Sequence, residues 1–201
     1  MVKVKKGFID RIRRFAAKNS YFTIHDAKRI VDKKYAYLAL NILTKRKEIF
    51  RLGKGFYSKY DDPSLIVYYF KPAYIGLHDA MSYLNLWEQE TATIVITVRK
   101  VRRGVRKVFK SNVLVKKISP KYFFGFDFLK INDFYLPVSD AEKTFIDLIY
   151  FKEWKKDYEK YFKGKIKFPV LRKYSKEYPK RIERKILKIG EKLKISKHPS
   201  F

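Results

Sequence analysis

The chain of 201 residues contains no cysteine, and this absence removes several kinds of chemistry at once. Disulfide scaffolds, thiol catalysis and zinc sites with cysteine ligands are all excluded. The chain also lacks any apolar run near the ~20 residues that a membrane-spanning helix requires. Residues 1–6 lack the apolar core of a signal peptide. We therefore expect a cytoplasmic protein without a membrane partner.

Acidic residues are scarce: 20 Asp and Glu stand against 48 Lys and Arg, which gives a formal net charge of +28. The imbalance lies at the two ends. Residues 1–60 hold 17 basic and 4 acidic residues, residues 152–201 hold 18 and 6, and residues 61–151 hold 13 and 10. Heat adaptation would raise Glu together with Lys, which is not the pattern here. A polyanionic partner, of which DNA is the commonest, explains the charge better than solubility does.

Two helical patterns open the chain. The first covers residues 6–19, and the second covers residues 22–31. The second begins with the signature of a capping box. Thr23 can accept a hydrogen bond from the backbone amide three residues on, and Asp26 at that position can reach back to the backbone of Thr23.

A third helical pattern runs from residue 34 to about residue 47, and a short basic ribbon follows it. The apolar positions of this helix are Ala36, Ala39, Leu40 and Leu43. Residues 49–58 then alternate apolar and basic side chains around a Gly-Lys-Gly turn, as a two-stranded ribbon requires. Helix, helix, turn, helix and ribbon is the order of a winged helix-turn-helix, which places one helix in a DNA groove. Nucleic acid is therefore the first hypothesis for the partner.

Three sets of side chains in this region are candidates for DNA contact. The outward face of the third helix can read base edges or reach the backbone, since Asn pairs with adenine and Lys with guanine or phosphate. Its candidates are Lys34, Tyr37, Asn41, Thr44, Lys45 and Arg46. The ribbon candidates, for phosphate or the minor groove, are Arg51, Lys54 and Lys59. Weaker candidates for positioning on the backbone are Arg11, Arg14, Lys28, Arg29 and Lys33. The alternative for every set is an ordinary solvated surface.

A boundary is expected at residues 61–63, Asp-Asp-Pro, where acidic residues and a proline follow the ribbon. Beyond it we expect a mixture of helices and strands. The expected helices cover residues 73–86, 140–151, 152–163 and 177–194. The expected strands cover residues 91–98, 113–118 and 134–138. A capping box is expected at residues 139–142.

The predicted fold class is therefore α+β. We predict a winged helix-turn-helix over residues 1–62, an α+β domain over residues 63–151 and a basic helical extension over residues 152–201.

Parts of this second unit resemble the central segment of AbiEi-type antitoxins. The resemblance lies in residues 72–84 (PAYIGLHDAMSYL), 93–97 (TIVIT), 120–125 (PKYFFG) and 136–149 (LPVSDAEKTFIDLI), and it covers roughly residues 8–151. In that family a winged helix-turn-helix precedes the central domain. The resemblance implies an autorepressor that binds inverted repeats in its own promoter. It also implies the antitoxin of a type IV toxin–antitoxin phage-defence system, which opposes a nucleotidyltransferase-like toxin without forming a stable complex. A stand-alone winged-helix transcription factor and a sequence-neutral nucleic-acid-binding protein are the alternatives.

Residues 99–117 are rich in basic side chains and contain no acidic residue. Two interpretations stay open: a second nucleic-acid surface, or the exposed edge of a sheet that charge protects from pairing. The candidate residues are Arg99, Arg102, Arg103, Arg106 and Lys107.

No catalytic residue, metal site or cofactor site is predicted, and we do not expect an enzyme. His25, His78 and His198 are too scattered in sequence to form a metal site. His25 is expected to face solvent, with phosphate contact as the alternative. Asp147 is expected on a helix surface. No phosphate-binding glycine loop or nucleophile elbow is present.

The aromatic residues of the tail have two interpretations. They can stack on the bases of a single strand, or they can pack the tail helices onto the second unit. We favour packing. These residues are Tyr158, Tyr161, Phe162, Tyr174 and Tyr178.

Overall fold

In a computed structural model, which describes residues 7–89, 91–108 and 111–193, the chain forms an α+β fold with two sheets. The helices are α1 (Gly7–Lys18), α2 (Ile24–Ile30), α3 (Lys33–Lys45), α4 (Leu77–Tyr83), α5 (Ala141–Tyr150), α6 (Glu159–Phe162), α7 (Phe168–Ser175) and α8 (Lys180–Lys192). The strands are β1 (Tyr21–Thr23), β2 (Phe50–Gly53), β3 (Phe56–Ser58), β4 (Ala73–Ile75), β5 (Thr93–Thr97), β6 (Gly104–Val108), β7 (Ser111–Lys117), β8 (Phe126–Ile131) and β9 (Phe134–Ser139). Short 3₁₀ helices cover Pro63–Phe70, Pro120–Tyr122 and Lys156–Tyr158.

The N-terminal elements form one packed unit. Helices α1, α2 and α3 enclose a shared apolar core, and β1, β3 and β2 lie beside them as a three-stranded sheet in that order. The predicted capping box is confirmed: the amide of Asp26 donates to Thr23 Oγ1, and the amide of Thr23 donates to Asp26 Oδ2 at 2.8 Å. Between β2 and β3, Gly55 has a φ of +70°, and a side chain there would meet Ile24 Cγ2 at 2.8 Å. Glycine thus lets the hairpin fold closely over the start of α2.

The larger sheet has the strand order β6-β7-β5-β4-β9-β8. Its central strands are buried on both faces, and successive residues of β5 show how the two faces divide. Ile94 and Ile96 lie in a core shared with α5 and the tail helices, whereas Val95 lies in a core shared with the 3₁₀ helix Pro63–Phe70 and with β2 and β3. The N-terminal unit and the tail helices therefore pack on opposite sides of this sheet.

The junction between the N-terminal unit and the sheet is aromatic. Tyr21 of β1 stacks on Tyr68 at 4.4 Å between ring centroids, and the ammonium of Lys71 lies within 4.7 Å of both rings. Phe56 of β3 meets Tyr69 edge-on at 5.6 Å. Such contacts pack large side chains against one another across the junction and fix the orientation of the N-terminal unit relative to the sheet.

The helix predicted over residues 73–86 is partly wrong. Its first residues form β4, which pairs with β5 antiparallel and with β9 parallel, and α4 begins only at Leu77. Tyr74 and Ile75 are both fully buried. A strand covered on both faces has no polar alternation, so its apolar run resembles that of a buried helix.

The cap of α5 lies one residue later than predicted. Asp140 is the N-cap, and its carboxylate accepts from the amide of Lys143 at 2.7 Å. Ser139 instead ends β9 and shares a hydrogen bond with Thr144, while the carboxylate of Glu142 accepts from the amide of Lys167. The capping box predicted at residues 139–142 is therefore wrong, because its two outer residues serve the sheet and the tail.

The tail is only partly as predicted. The helix expected over residues 152–163 is reduced to the 3₁₀ turn and α6, α7 was not predicted, and α8 lies inside the expected range 177–194. The tail aromatics pack inward as favoured: Tyr158, Phe162 and Tyr178 are buried in the core that also holds α5. The domain limits given above stay a prediction.

Candidate nucleic-acid interface

A cleft of about 660 Å³ lies between α3, the first residues of α2 and the β2–β3 hairpin. We call it the α3–hairpin cleft. Six of the predicted DNA-contact residues line it: Tyr37, Asn41, Thr44, Lys45, Arg51 and Lys54. Helix α3 and the β2–β3 hairpin, which follow one another in the sequence, thus present one shared concave surface.

The buried face of α3 decides which side chains reach the cleft. Ala36, Ala39, Leu40 and Leu43 are all 2% exposed or less, so they lock the helix against α1 and α2. The opposite face must then point outward, since side chains at helical spacing share a face. Asn41 and Lys45 are exposed there, and Tyr37, a large aromatic residue, is 52% exposed.

Three of the residues predicted on α3 and the hairpin lie outside the cleft lining. Lys34 is exposed in the first turn of α3. Arg46 caps the end of that helix, 3.9 Å from the carboxylate of Glu48, which also accepts from Arg13. The bond from Arg13 lowers the pKa of Glu48 and keeps it anionic. Lys59 follows β3 and donates to the carbonyl of Ala17 at 2.8 Å, so its ammonium is directed at α1.

The weaker candidates for backbone contact are distributed over α1, α2 and the first turn of α3. Arg11 and Arg14 border a shallow depression of about 390 Å³ on α1. The ammonium of Lys28 lies 5.0 Å from the Tyr37 ring centroid, next to the cleft, and Arg29 lies 4.0 Å from Asp26. Lys33 is exposed at the start of α3.

Ile24 and His25 are among the residues of the cleft lining that the candidate set did not include. Both belong to the first turn of α2, directly after the Thr23 cap. The capping box was the available signal, because it fixes where α2 begins and hence which residues stand beside the hairpin. His25 is exposed at this edge, a position that suits either of its predicted roles, facing solvent or contacting phosphate.

Within the basic stretch, residues 99–103 precede the edge strand β6 and residues 104–107 belong to it. Two of its guanidinium groups are held by carbonyl oxygens: Arg99 donates to Tyr69 and Arg106 to Arg102, each at 2.7 Å. Arg102, Arg103 and Lys107 are exposed. Charge on an edge strand hinders pairing with another chain, so the edge interpretation accounts for this segment without a ligand.

A buried charged network lies in α5, on the far side of the sheet. Lys143 and Asp147 are both fully buried and form an ion pair. The hydroxyl of Tyr74 donates to Asp147 at 2.7 Å, and Lys143 donates to the hydroxyl of Tyr178 at 3.1 Å. Burial raises the pKa of Asp147 and lowers the pKa of Lys143, while their mutual attraction opposes both shifts. The surface position predicted for Asp147 is wrong, because the tail helices cover it.

His25 and His78 lie apart in the structure, and His198 lies outside the described residues. Within residues 7–89, 91–108 and 111–193, no three His, Asp or Glu side chains are grouped so that they could hold a metal ion. Over the same residues, no helix is long and apolar enough to cross a membrane.

Comparison with known proteins adds the fold alone. No protein-family model and no curated protein matches the chain. The chain is similar in structure to the RV2827C protein from Mycobacterium tuberculosis, with a TM-score of 0.61 and 10% sequence identity, over 93% of this chain and 77% of that one. At this identity the likeness supports the α+β architecture and carries no activity with it.

Proposed function

We propose that this protein is a DNA-binding transcriptional regulator of the cytoplasm, with residues 7–60 acting as a winged helix-turn-helix. The observation that carries the proposal is the α3–hairpin cleft. It combines Asn41 and Lys45, exposed on a helix, with Arg51 and Lys54, exposed on a hairpin. Thr44 also lines the cleft, but its hydroxyl is buried. The strongly positive net charge favours the same class of partner.

In this proposal α3 enters the major groove and the hairpin lies along the backbone. Asn41 pairs with the N6 and N7 edge of adenine, and Lys45, one turn further on, reaches guanine or phosphate. Arg51 and Lys54 contact phosphates, which fix the register without reading sequence. The floor of the cleft includes Leu40, whose packing in the core fixes α3 and therefore the positions of Asn41 and Lys45.

The test compares two variants on duplexes selected from random sequence by the wild-type protein. The double variant Asn41→Ala/Lys45→Ala should reduce the discrimination between selected and scrambled duplexes by about 1–3 kcal/mol for each side chain that reads a base. Lys54→Ala should weaken both duplexes equally and reduce the slope of log K against log salt by about 0.9. Discrimination that survives the double variant would show that α3 does not read the sequence.

A narrower proposal is that the regulator represses its own operon as an AbiEi-like antitoxin. The motifs of residues 72–84 and 136–149 support it by resemblance. Preferential binding to inverted repeats upstream of its own gene tests autorepression. Rescue from an adjacent nucleotidyltransferase-like toxin on co-expression tests the antitoxin role, and its absence leaves the stand-alone regulator.

A further inference from the structure

The outward face of α8 carries an unbroken row of cations. Arg181, Arg184, Lys185, Lys188 and Lys192 are all exposed and recur at spacings of three and four residues, so they share one face of the helix. The row is about 17 Å long at 1.5 Å per residue. The inward face holds Ile186, Gly190 and Leu193 against the core.

Helix α7, which packs against α8, carries further cations of its own. Arg172, Lys173 and Lys176 are exposed at the same kind of spacing. The two helices touch closely, because a side chain added at Gly190 would lie 2.6 Å from Leu171. Gly190 and Leu171 are buried and lie on the sides of their helices opposite the cations, so this contact does not bring the two groups of cations onto one surface. We call the row on α8 alone the α8 basic face.

The acidic residues around this face neutralise little of it. Glu183 is hydrogen-bonded to Lys180 at 2.9 Å, at the beginning of α8. Glu177 follows α7, and Glu191 lies near the end of α8. The five cations of the α8 row thus outnumber these acidic side chains.

Helix α8 contains no aromatic residue, and the ring of Phe168, which lies 5.3 Å from the guanidinium of Arg172, belongs to α7. Tyr178 is stacked on Tyr122 at 4.3 Å, and Tyr174 donates to Asp140 at 2.9 Å. Proteins that grip single strands present aromatic rings on which bases stack, and here those rings are used for packing. Cations without a stacking platform fit the regular phosphate rows of a duplex.

The position of the face separates it from the α3–hairpin cleft. The N-terminal unit packs on one side of the six-stranded sheet, and α7 and α8 pack on the other. We propose that the α8 basic face binds the phosphate backbone of a second duplex segment, so that one molecule bridges two segments. The choice of duplex DNA as the ligand rests on the proposed function.

The test is a bridging assay with the full chain. A short biotinylated duplex is immobilised, the protein is bound, and a fluorescent duplex of unrelated sequence is offered. The face variant replaces Arg184, Lys185 and Lys188 by Gln. A matched control replaces three exposed lysines elsewhere, Lys121, Lys130 and Lys152, by Gln and so makes the same change in charge. A cleft variant combines Asn41→Ala, Lys45→Ala and Lys54→Ala.

The wild type and the control should capture the second duplex, and the face variant should capture at least tenfold less while it still binds the first. The cleft variant should keep sequence-neutral, salt-sensitive binding of one duplex through the basic face. If the face variant captured as much of the second duplex as the control, the inference would be overturned. A dimer that bridged two duplexes through its two clefts would give this same result and would equally count against the inference. Loss of all duplex binding in the cleft variant would overturn it too. A cleft variant that discriminates sequences like the wild type would instead defeat the proposed function and leave the bridging face intact.

Discussion

Two lysines show opposite uses of the same charge in this fold. Lys45 is exposed at the α3–hairpin cleft, whereas Lys143 is fully buried beside Asp147 beneath the tail helices. A buried ion pair costs desolvation and must be fully bonded, so it constrains how the surrounding elements pack. An exposed lysine keeps its hydration and stays free to meet a ligand. Burial, rather than the number of cations, therefore separates the structural charges from the candidate binding charges.

The largest effect should come from breaking the buried pair. Asp147→Ala leaves the ammonium of Lys143 buried without a counter-charge, and it also removes the acceptor of the Tyr74 hydroxyl. We expect the free energy of unfolding to fall by about 3–5 kcal/mol, as measured by urea denaturation.

The double variant Lys143→Met/Asp147→Leu is the matched control, because it removes both charges and keeps similar volume. It should recover much of the missing stability. If Asp147→Ala unfolds like the wild type, the pair does not hold the tail against α5.

A second buried carboxyl extends the comparison to a case without a cation. Asp79 is 6% exposed and accepts from the amide of Ile94 at 3.0 Å. Burial raises its pKa from 3.8 to about 7, although the hydrogen bond from the Ile94 amide lowers it; the charge of Asp62 makes a smaller contribution that raises it. A raised pKa means that the fold favours the neutral form, so this group's contribution to stability is present below its ordinary pKa and is lost as pH rises towards 7.

Asp79→Asn should remove this dependence, because the amide resembles the protonated acid. The difference in unfolding free energy between the variant and the wild type should grow in favour of the variant by up to about 1.4 kcal/mol per pH unit over that window. Urea denaturation at several pH values measures it. A constant difference would mean that Asp79 is ionised throughout.

The location of a charged side chain in the fold could be predicted from the sequence where it follows from a local pattern. Asn41 and Lys45 were assigned to the outer face of α3 because the apolar residues of that helix define the opposite face. The hairpin followed from its glycines and alternating side chains. Both inferences needed only neighbours along the chain.

The sequence could not reveal features that depend on distant segments. Asp147 has the pattern of a surface residue in its own helix, and only the packing of Tyr74 and Tyr178, far away in sequence, makes it buried. Strand β4 was missed for the same reason, since β5 and β9 pair with its edges and the two cores on opposite sides of the sheet bury its faces. The separation of the cleft from the α8 basic face is likewise a property of the sheet between them.

The smallest expected effect on stability comes from removing the exposed lysine of the two, Lys45. Lys45→Ala removes an exposed side chain from α3, and alanine is the better helix former, so stability should change by no more than about 0.5 kcal/mol. The same variant should lower duplex affinity, measured by fluorescence anisotropy at fixed salt. A stability loss comparable to that of Asp147→Ala would show that Lys45 supports the fold, and its removal could then no longer report on binding. An unchanged stability together with weaker binding would mean that the charge at this position serves the ligand and not the fold.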